Sequence, residues 1–384
     1  MANRFDVAIV GAGTVGLALA NSLRQTLRPD FRIALIESRD LLTSPKSFSR
    51  YVSLTPSSTD FLDSLLKPAS TPGHTYNCIS VLDSRHRAEV DFAGGTRARI
   101  VHVGSLDAAL LESLSSNTDS HIEFFNKTKI SSVSGLSDTF NWPEITLENE
   151  DTPDNGAQIS CRLIIGADGA NSLVSKAAGI PFDGFQYGKR GVVASLSTSS
   201  NPGMGDRAYQ RFLQDGPIAL LPTSESTFSL VWTLPATIAE QLEKLDESTF
   251  VRLINAALRC DQPDISYLLN NIASIAAAKE LETELEFSQS RAKFSPDRPL
   301  PVVDGVIDAS STRGSFPLRA GTSRYYLENR CVLVGDAAHT IHPLAGQGLN
   351  LGLGDVKCLA HVIIDAASKG EDFGMDPSFV NICA

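Results

Sequence analysis

Gly11-Ala12-Gly13-Thr14-Val15-Gly16 places glycines at the spacing of a turn that grips phosphate. An apolar run, residues 5–10, precedes it, and residues 14–27 follow with helical spacing through Val15, Leu17, Ala18, Leu19 and Leu23. In that setting Gly11 turns the chain tightly. Gly13 lets a diphosphate approach the backbone, and Gly16 lets the helix lie close on the strand. The unpaired N–H groups at the helix start, around Thr14 and Val15, present partial positive charge to the phosphates. Glu37 ends a second apolar run about 20 residues after Gly16, where a carboxylate accepts hydrogen bonds from both ribose hydroxyls and repels a 2′-phosphate. These residues point to a dinucleotide without choosing between a flavin and a nicotinamide.

Two further strand ends carry similar chemistry. Residues 162–169 form an apolar run closing on Gly166-Ala167-Asp168-Gly169. Residues 330–336 form another, closing on Gly335-Asp336 and followed by Ala337-Ala338-His339. Then come His342-Pro343-Leu344-Ala345-Gly346-Gln347-Gly348-Leu349-Asn350, a second glycine-rich loop feeding a helix. No second complete GxGxxG is present, so one bound dinucleotide is expected.

The elements that must position these loops are legible as patterns. Residues 5–10, the first helix and a strand at 32–37 form a βαβ unit. Residues 39–58 read as a long polar loop, 58–66 as a helix and 66–76 as a loop. Strands are expected at 88–92, 98–103, 121–128, 144–148 and 158–165. Ser105 is placed as the cap of a helix running to about residue 116, and a short helix at 171–178. Alternation at 190–197, 207–213, 217–222 and 226–233 predicts an antiparallel sheet. Helices are expected at 236–244, 247–258 and within 265–286, and a loop-rich stretch at 288–315. A buried strand returns at 330–335 and a long helix starts near Gly348. The fold class is therefore α/β: a Rossmann-like dinucleotide-binding domain of residues 1–180 and 320–384, with some substrate-side strands near 80–105. Into it is inserted an antiparallel-sheet substrate lobe at 181–319.

The 384 residues carry a formal net charge of −11, 42% hydrophobic and 20% charged residues. That composition is ordinary for a globular protein, and the charge argues against a nucleic-acid partner, which needs clustered Lys and Arg. The six scattered cysteines contain no CxxC pair and read as reduced thiols, with neither a disulfide framework nor a metal site. No run approaches the ~18 apolar residues of a membrane span, and no presequence is visible before the first strand.

The three glycine-bearing strand ends together resemble the class A flavoprotein monooxygenases of the para-hydroxybenzoate hydroxylase fold. The resemblance implies FAD. It assigns Gly11, Gly13, Thr14, Val15, Gly16 and Glu37 to the ADP half. Asp168 and Gly169 fall near the diphosphate, Gly335 and Asp336 at the ribitol, and Gly346, Gln347, Gly348, Leu349 and Asn350 at the pyrimidine edge of the flavin. A helix N-terminus there favours the negative charge of the reduced ring. Gln210-Arg211-Phe212, residues 216–222, Ser229-Leu230-Val231-Trp232 and residues 342–352 resemble the flavin hydroxylases of ubiquinone biosynthesis. Among these, the likeness is to the mitochondrial enzymes that hydroxylate ring carbon C5 of a polyprenyl-4-hydroxybenzoate-type intermediate, through a C4a-hydroperoxide of the flavin.

On that resemblance Arg50, ahead of Thr55-Pro56, is assigned to FAD; its alternative is a solvated loop arginine. Pro343 is assigned to substrate orientation, its alternative being a loop-shaping proline. His339 and His342 are proton-transfer candidates, the alternative for both being cofactor geometry, and His342 is also a candidate gate. Residues 217–222 and Trp232 are read either as lining a channel for the prenyl tail or as ordinary sheet core. The implied partners are a polyprenylated phenol, O2 and an electron donor, either a ferredoxin relay or NAD(P)H. The implied setting is a ubiquinone-biosynthesis complex in peripheral contact with the matrix side of the mitochondrial inner membrane. Two other readings stay open: a hydroxylase of another phenol, and a catalytically silent FAD-binding scaffold, the latter because the family continues with further helices after the last one here.

Overall fold

The computed structural model describes residues 3–41, 50–67, 69–84, 88–115, 121–136, 141–149, 152–199, 205–272, 283, 286–287, 300–308, 313–343 and 346–374. The chain opens with β1 (Asn3–Val10), α1 (Thr14–Thr26) and β2 (Ile33–Ile36). β1 pairs in parallel with β2, Val7 opposite Ile33. Its residues Val7, Ala8 and Ile9 are fully buried because layers pack on both faces of a parallel sheet. Next come β3 (Tyr51–Leu54), α2 (Pro56–Leu65), β4 (His74–Asp83), β5 (Ala88–His102), α3 (Val103–Ser115) and β6 (Ile122–Phe125). They are followed by β7 (Thr128–Ser134), β8 (Glu144–Asn149), β9 (Thr152–Gly166) and α4 (Leu173–Ala177). The middle of the chain supplies β10 (Phe182–Ser199), β11 (Arg207–Leu213), β12 (Gly216–Pro222), β13 (Thr227–Pro235), α5 (Ala236–Glu243), α6 (Glu247–Arg259) and α7 (Gln262–Asn270). The last part holds β14 (Val302–Val306), β15 (Gly314–Ser323), β16 (Leu327–Glu328), β17 (Cys331–Leu333), a 3-10 turn at Gly335–Ala337, β18 (His339–Thr340) and α8 (Gln347–Lys369).

Two sheets result. The first runs β16-β17-β9-β1-β2-β6, with β8 joined to β9 and β7 to β8. Its central strands β17, β9, β1, β2 and β6 are mutually parallel. Helices α1, α2, α3 and α8 cover one face through Leu17, Leu62, Leu110 and Val356. The second sheet runs β18-β15-β10-β13-β12-β11-β4-β5-β3, with β14 on β10. It is antiparallel except where β11 meets β4. Helices α5–α7 bury one face of it, Phe250 and Ile254 packing with Leu196, Phe228 and Trp232.

Several sequence expectations need correction. The polar stretch 39–58 contains β3, and the expected loop at 66–76 already enters β4 at His74. β5 is a single strand where two were expected. The loop-rich stretch 288–315 holds β14 and the start of β15. All five are strands of the second sheet, whose ladder hydrogen bonds come from residues distant in the chain and override weak local pattern. Ser105 lies inside α3, and the His102 ring nitrogen Nδ1 receives its backbone N–H. Of the expected helical stretch 265–286, α7 runs to Asn270 and residues 272, 283 and 286 are helical; residues 273–282 and 284–285 lie outside the described ones. Trp232 is fully buried in the second sheet's core, which answers its two readings in favour of sheet packing. Cys78, Cys161, Cys260 and Cys331 are free and buried as expected, whereas Cys358 is disulfide-bonded.

Candidate functional site

The loops singled out by sequence meet at the carboxyl ends of adjacent strands β1, β9 and β17. The Ala167 N–H donates to the Val10 carbonyl at 2.8 Å and the Gly11 N–H to the Ile36 carbonyl at 2.8 Å. Gly11 has φ +102°, and a Cβ there would lie 2.4 Å from the Ala167 carbonyl oxygen. A Cβ on Gly16 would lie 1.9 Å from the Gly11 carbonyl oxygen. Both glycines are thus demanded by close backbone approach. Gly13 is different: a Cβ there would meet nothing within 4 Å among the described residues. It is the N-cap of α1, with no side-chain cap and no acid in the first turn. The positive pole of α1 therefore opens onto space beside a bare backbone, which fits a diphosphate.

Glu37 is 5% exposed. It accepts hydrogen bonds from the Ala12 N–H at 2.8 Å and from Arg39, Nε at 3.0 Å and Nη2 at 3.2 Å. Burial pushes its pKa up, but the hydrogen bonds from Arg39 and Ala12 and the Arg39 charge outweigh it and hold it below the usual value. Glu37 is thus an ionised acceptor anchored at the tip of β2. On the other side of α1, Thr14 Oγ1 donates to Asp107 Oδ1 of α3. Arg50 sits just ahead of β3; its carbonyl accepts from the Val103 N–H at 2.9 Å and its charge acts on Asp107.

Asp168 Oδ2 accepts from the Leu173 and Val174 N–H groups at 2.6 and 3.4 Å, so Asp168 holds the start of α4. Its Oδ1 is buried with no partner among the described residues. A buried carboxylate oxygen left without a donor is costly, and a ligand hydroxyl is the chemistry that would satisfy it. Gly169 adopts φ +78° with open space at its Cβ position.

Beyond β17, Gly335 turns at φ +61°, and its N–H donates to Asp355 Oδ2 at 2.8 Å. The same oxygen meets His339 Nε2 at 2.8 Å, and that bond and charge raise the His339 pKa above its ordinary value. A Cβ on Gly352 would lie 2.9 Å from Val15 Cγ2 and 3.1 Å from Gly335 Cα. Val15 therefore packs between the starts of two motifs. A Cβ on Gly348 would be 3.9 Å from Asp336 Oδ1, which places that carboxylate beside the first turn of α8.

α8 begins after Gly346, left-handed at φ +61°, with no side-chain cap and no acid in its first turn. Gln347, Gly348 and Leu349 form that turn, a second open positive pole. Asn350 is committed inside the protein: its amide accepts from the Thr55 N–H at 2.9 Å and donates to the Ser53 and Gly346 carbonyls at 2.8 and 3.0 Å. The Pro343 carbonyl accepts from the Gly346 N–H at 3.0 Å, closing a turn. The His342 ring stands edge-on to Tyr187 at 4.9 Å. Burial and the nearby Lys189 charge pull its pKa down, so it is neutral near pH 7. Leu344 and Ala345 lie outside the described residues.

Arg39, Asp107, Tyr187 and Asp355 were not singled out by sequence reading. Asp355 sits within an ordinary helical pattern and Asp107 beside the apolar face of α3; only the packing of α8 and α3 against the loops reveals them. Arg39, two residues after Glu37, was the one within reach, as the nearest cation to a carboxylate already identified.

The FAD binding domain family matches residues 4–278 and 300–375 of this chain. Over 96% of its length the chain is 34% identical to the mitochondrial ubiquinone biosynthesis monooxygenase COQ6 of Saccharomyces cerevisiae, covering 80% of that protein. It is 34% identical to COQ6 of Danio rerio, over 96% of this chain and 76% of that one. Its fold is similar to that of PqsL, a probable FAD-dependent monooxygenase from Pseudomonas aeruginosa, with a TM-score of 0.67 at 18% identity over 96% and 87% of the two chains.

Proposed function

From the premise that this chain belongs to the FAD binding domain family and is an FAD-dependent monooxygenase, we propose that it hydroxylates carbon C5 of a polyprenyl-4-hydroxybenzoate-type intermediate in ubiquinone biosynthesis. The observation that carries the reading is the 34% identity to mitochondrial ubiquinone biosynthesis monooxygenases along 96% of the chain.

When bound, FAD supplies the redox chemistry that activates O2 for transfer to an electron-rich phenol ring. The protein's own contribution is binding and electrostatics. The pole of α1 beside Gly13 holds the diphosphate, with Thr14 and Val15 in its first turn and Arg50 adding positive charge. Glu37 accepts the ribose hydroxyls, sharing its carboxylate with Arg39. The free oxygen of Asp168, next to Gly169, accepts a cofactor hydroxyl. Gly335 and Asp336 border the ribitol, and the pole of α8 at Gly346, Gln347, Gly348 and Leu349 steadies negative charge on the reduced ring. Asn350 acts from behind, by clamping α8 to β3 and α2. His342 and Pro343 stand on the substrate side, Pro343 shaping the turn and His342 with Tyr187 forming an aromatic edge at its entrance.

The proposed setting is the matrix side of the mitochondrial inner membrane, within a ubiquinone-biosynthesis complex. No helix among the described residues is long and apolar enough to cross a membrane, so contact there would be peripheral. Electrons come from a ferredoxin relay or NAD(P)H.

The test is turnover of the FAD-loaded protein with each reductant, O2, and prenylated or unprenylated 4-hydroxybenzoate, followed by mass spectrometry and NMR of the product. The reading expects one added oxygen, at C5 of the prenylated ring. Turnover confined to unprenylated phenols would assign another substrate class, and flavin that reoxidises without product would assign a scaffold.

A further inference from the structure

α3 presents an acid to the start of α1, where a diphosphate site would be expected to exclude one. Asp107, partly buried in the first turns of α3, receives the hydroxyl hydrogen of Thr14, the first residue of α1. The charged groups acting on it come from two segments: Arg39 and Glu37 at the end of β2, and Arg50 ahead of β3. α1 contributes the Thr14 hydroxyl and no acid in its first turn. His102, one turn before Asp107, is turned to Ser105 instead. Asp107 therefore shares one small volume with the helix pole, two guanidinium groups and the anchored carboxylate of Glu37.

We infer that Asp107 is a proton-coupled positioning residue for FAD: charged in the empty protein near neutral pH, it takes up a proton as the diphosphate enters, and then holds Thr14 without repelling the ligand. This rests on the assignment of the α1 pole to FAD. Burial already pushes the Asp107 carboxyl up to about 6, against the Thr14 hydrogen bond and the Arg39 and Arg50 charges. A diphosphate at the α1 pole adds negative charge nearby, which raises it further. The two arginines are then left to the phosphates. By linkage, binding to the protonated form is tighter, so affinity falls as pH climbs from the empty-state value towards the loaded one.

The test measures FAD binding to apoprotein between pH 5.5 and 8.5 by flavin fluorescence and by calorimetry in two buffers of different ionisation enthalpy. The diphosphate of FAD is a diester with no proton of its own to exchange in that range. Wild-type Kd is expected to rise about fourfold from pH 6 to pH 7.5 for one displaced pKa unit, whose full limit is about tenfold. Calorimetry should find about half a proton taken up per FAD near pH 6.5. Asp107→Asn should bind with a flat pH profile and, at pH 8, about as tightly as the wild type does at pH 6. An unchanged slope in Asp107→Asn, or no proton uptake by the wild type, would overturn the inference. The wild-type proton count decides alone if the variant does not fold. No FAD binding at any pH would overturn the cofactor reading and this role with it; binding without the slope overturns only the role of Asp107.

Discussion

Gly13 and Gly16 answer to opposite constraints. A methyl on Gly16 would collide with the Gly11 carbonyl, while one on Gly13, whose φ of −77° suits any residue, would enter open space. Gly16→Ala is therefore expected to destabilise the apoprotein by about 1–3 kcal/mol, the usual cost of overpacking. Gly13→Ala should leave the apoprotein melting temperature unchanged yet weaken FAD binding at least about tenfold, since the methyl takes diphosphate space. Calorimetric melting of both apoproteins and FAD titration check this pair; a loss of apoprotein stability in Gly13→Ala would show the position to be packed. Asp107 makes a prediction without cofactor. Its folded pKa of about 6 exceeds the ordinary 3.8, so its stabilising effect is complete below pH 3.8 and lost as pH rises through 6. Asp107→Asn should thus gain stability over the wild type between pH 4 and pH 6 and stay level above, by at most about 3 kcal/mol. Urea unfolding at pH 4, 5, 6 and 7.5 measures it.

At the scale of elements, two side chains join pieces far apart in sequence. Arg211 of β11 is buried and donates to the Ala257 and Cys260 carbonyls at the end of α6 and to Ser84 Oγ. A guanidinium at a helix C-terminus satisfies carbonyls that have no intrahelical partner and meets the negative end of the dipole. Burial lowers its pKa to about 10, against the nearby Cys260 and Asp261, so it stays charged at neutral pH. Arg211→Met keeps the apolar stem and strands the two carbonyls; a loss of about 2–4 kcal/mol is expected, read by urea unfolding. Asn350 ties α8 to β3 and to the cap of α2 across almost the whole chain. Asn350→Ala should cost about 2 kcal/mol and lower FAD occupancy by loosening the α8 pole, with the purified protein's flavin-to-protein absorbance ratio as the readout. Full occupancy would mean that the glycine loop keeps its place without the clamp.

The whole molecule is woven rather than divided. The second sheet takes β3, β4 and β5 from before the first sheet is complete, and β18 from between β17 and α8. Neither sheet can lose its strands without unpairing the other's connections, so unfolding should be cooperative. The two tryptophans report one sheet each. Trp142 is stacked by Arg4 and Arg162 beside the first sheet, and Trp232 lies in the core of the second. Trp142→Phe and Trp232→Phe variants, each leaving one reporter, should show coincident fluorescence midpoints in urea; midpoints separated beyond error would show two independent units.

Sequence alone determined the local chemistry. The glycine spacing, the Glu37 acid and the strand–turn–helix contexts of residues 5–37, 162–178 and 330–350 were legible because each depends on neighbours within about 30 residues and on strong apolar periodicity. The antiparallel alternation of β10–β13 was legible for the same reason. The tertiary structure alone decided what those motifs share. That Gly11 abuts Ala167, that Gly352 abuts Gly335 and Val15, and that Trp232 is core follow from strands and helices brought together across long stretches of chain. So does the placing of Asp107 beside the α1 pole and of Asp355 against the Gly335 turn and His339, since a lone acid in an amphipathic helix carries no local mark of what will pack against it. β3, β4 and β14 were missed because a strand held by distant ladder partners needs little pattern of its own.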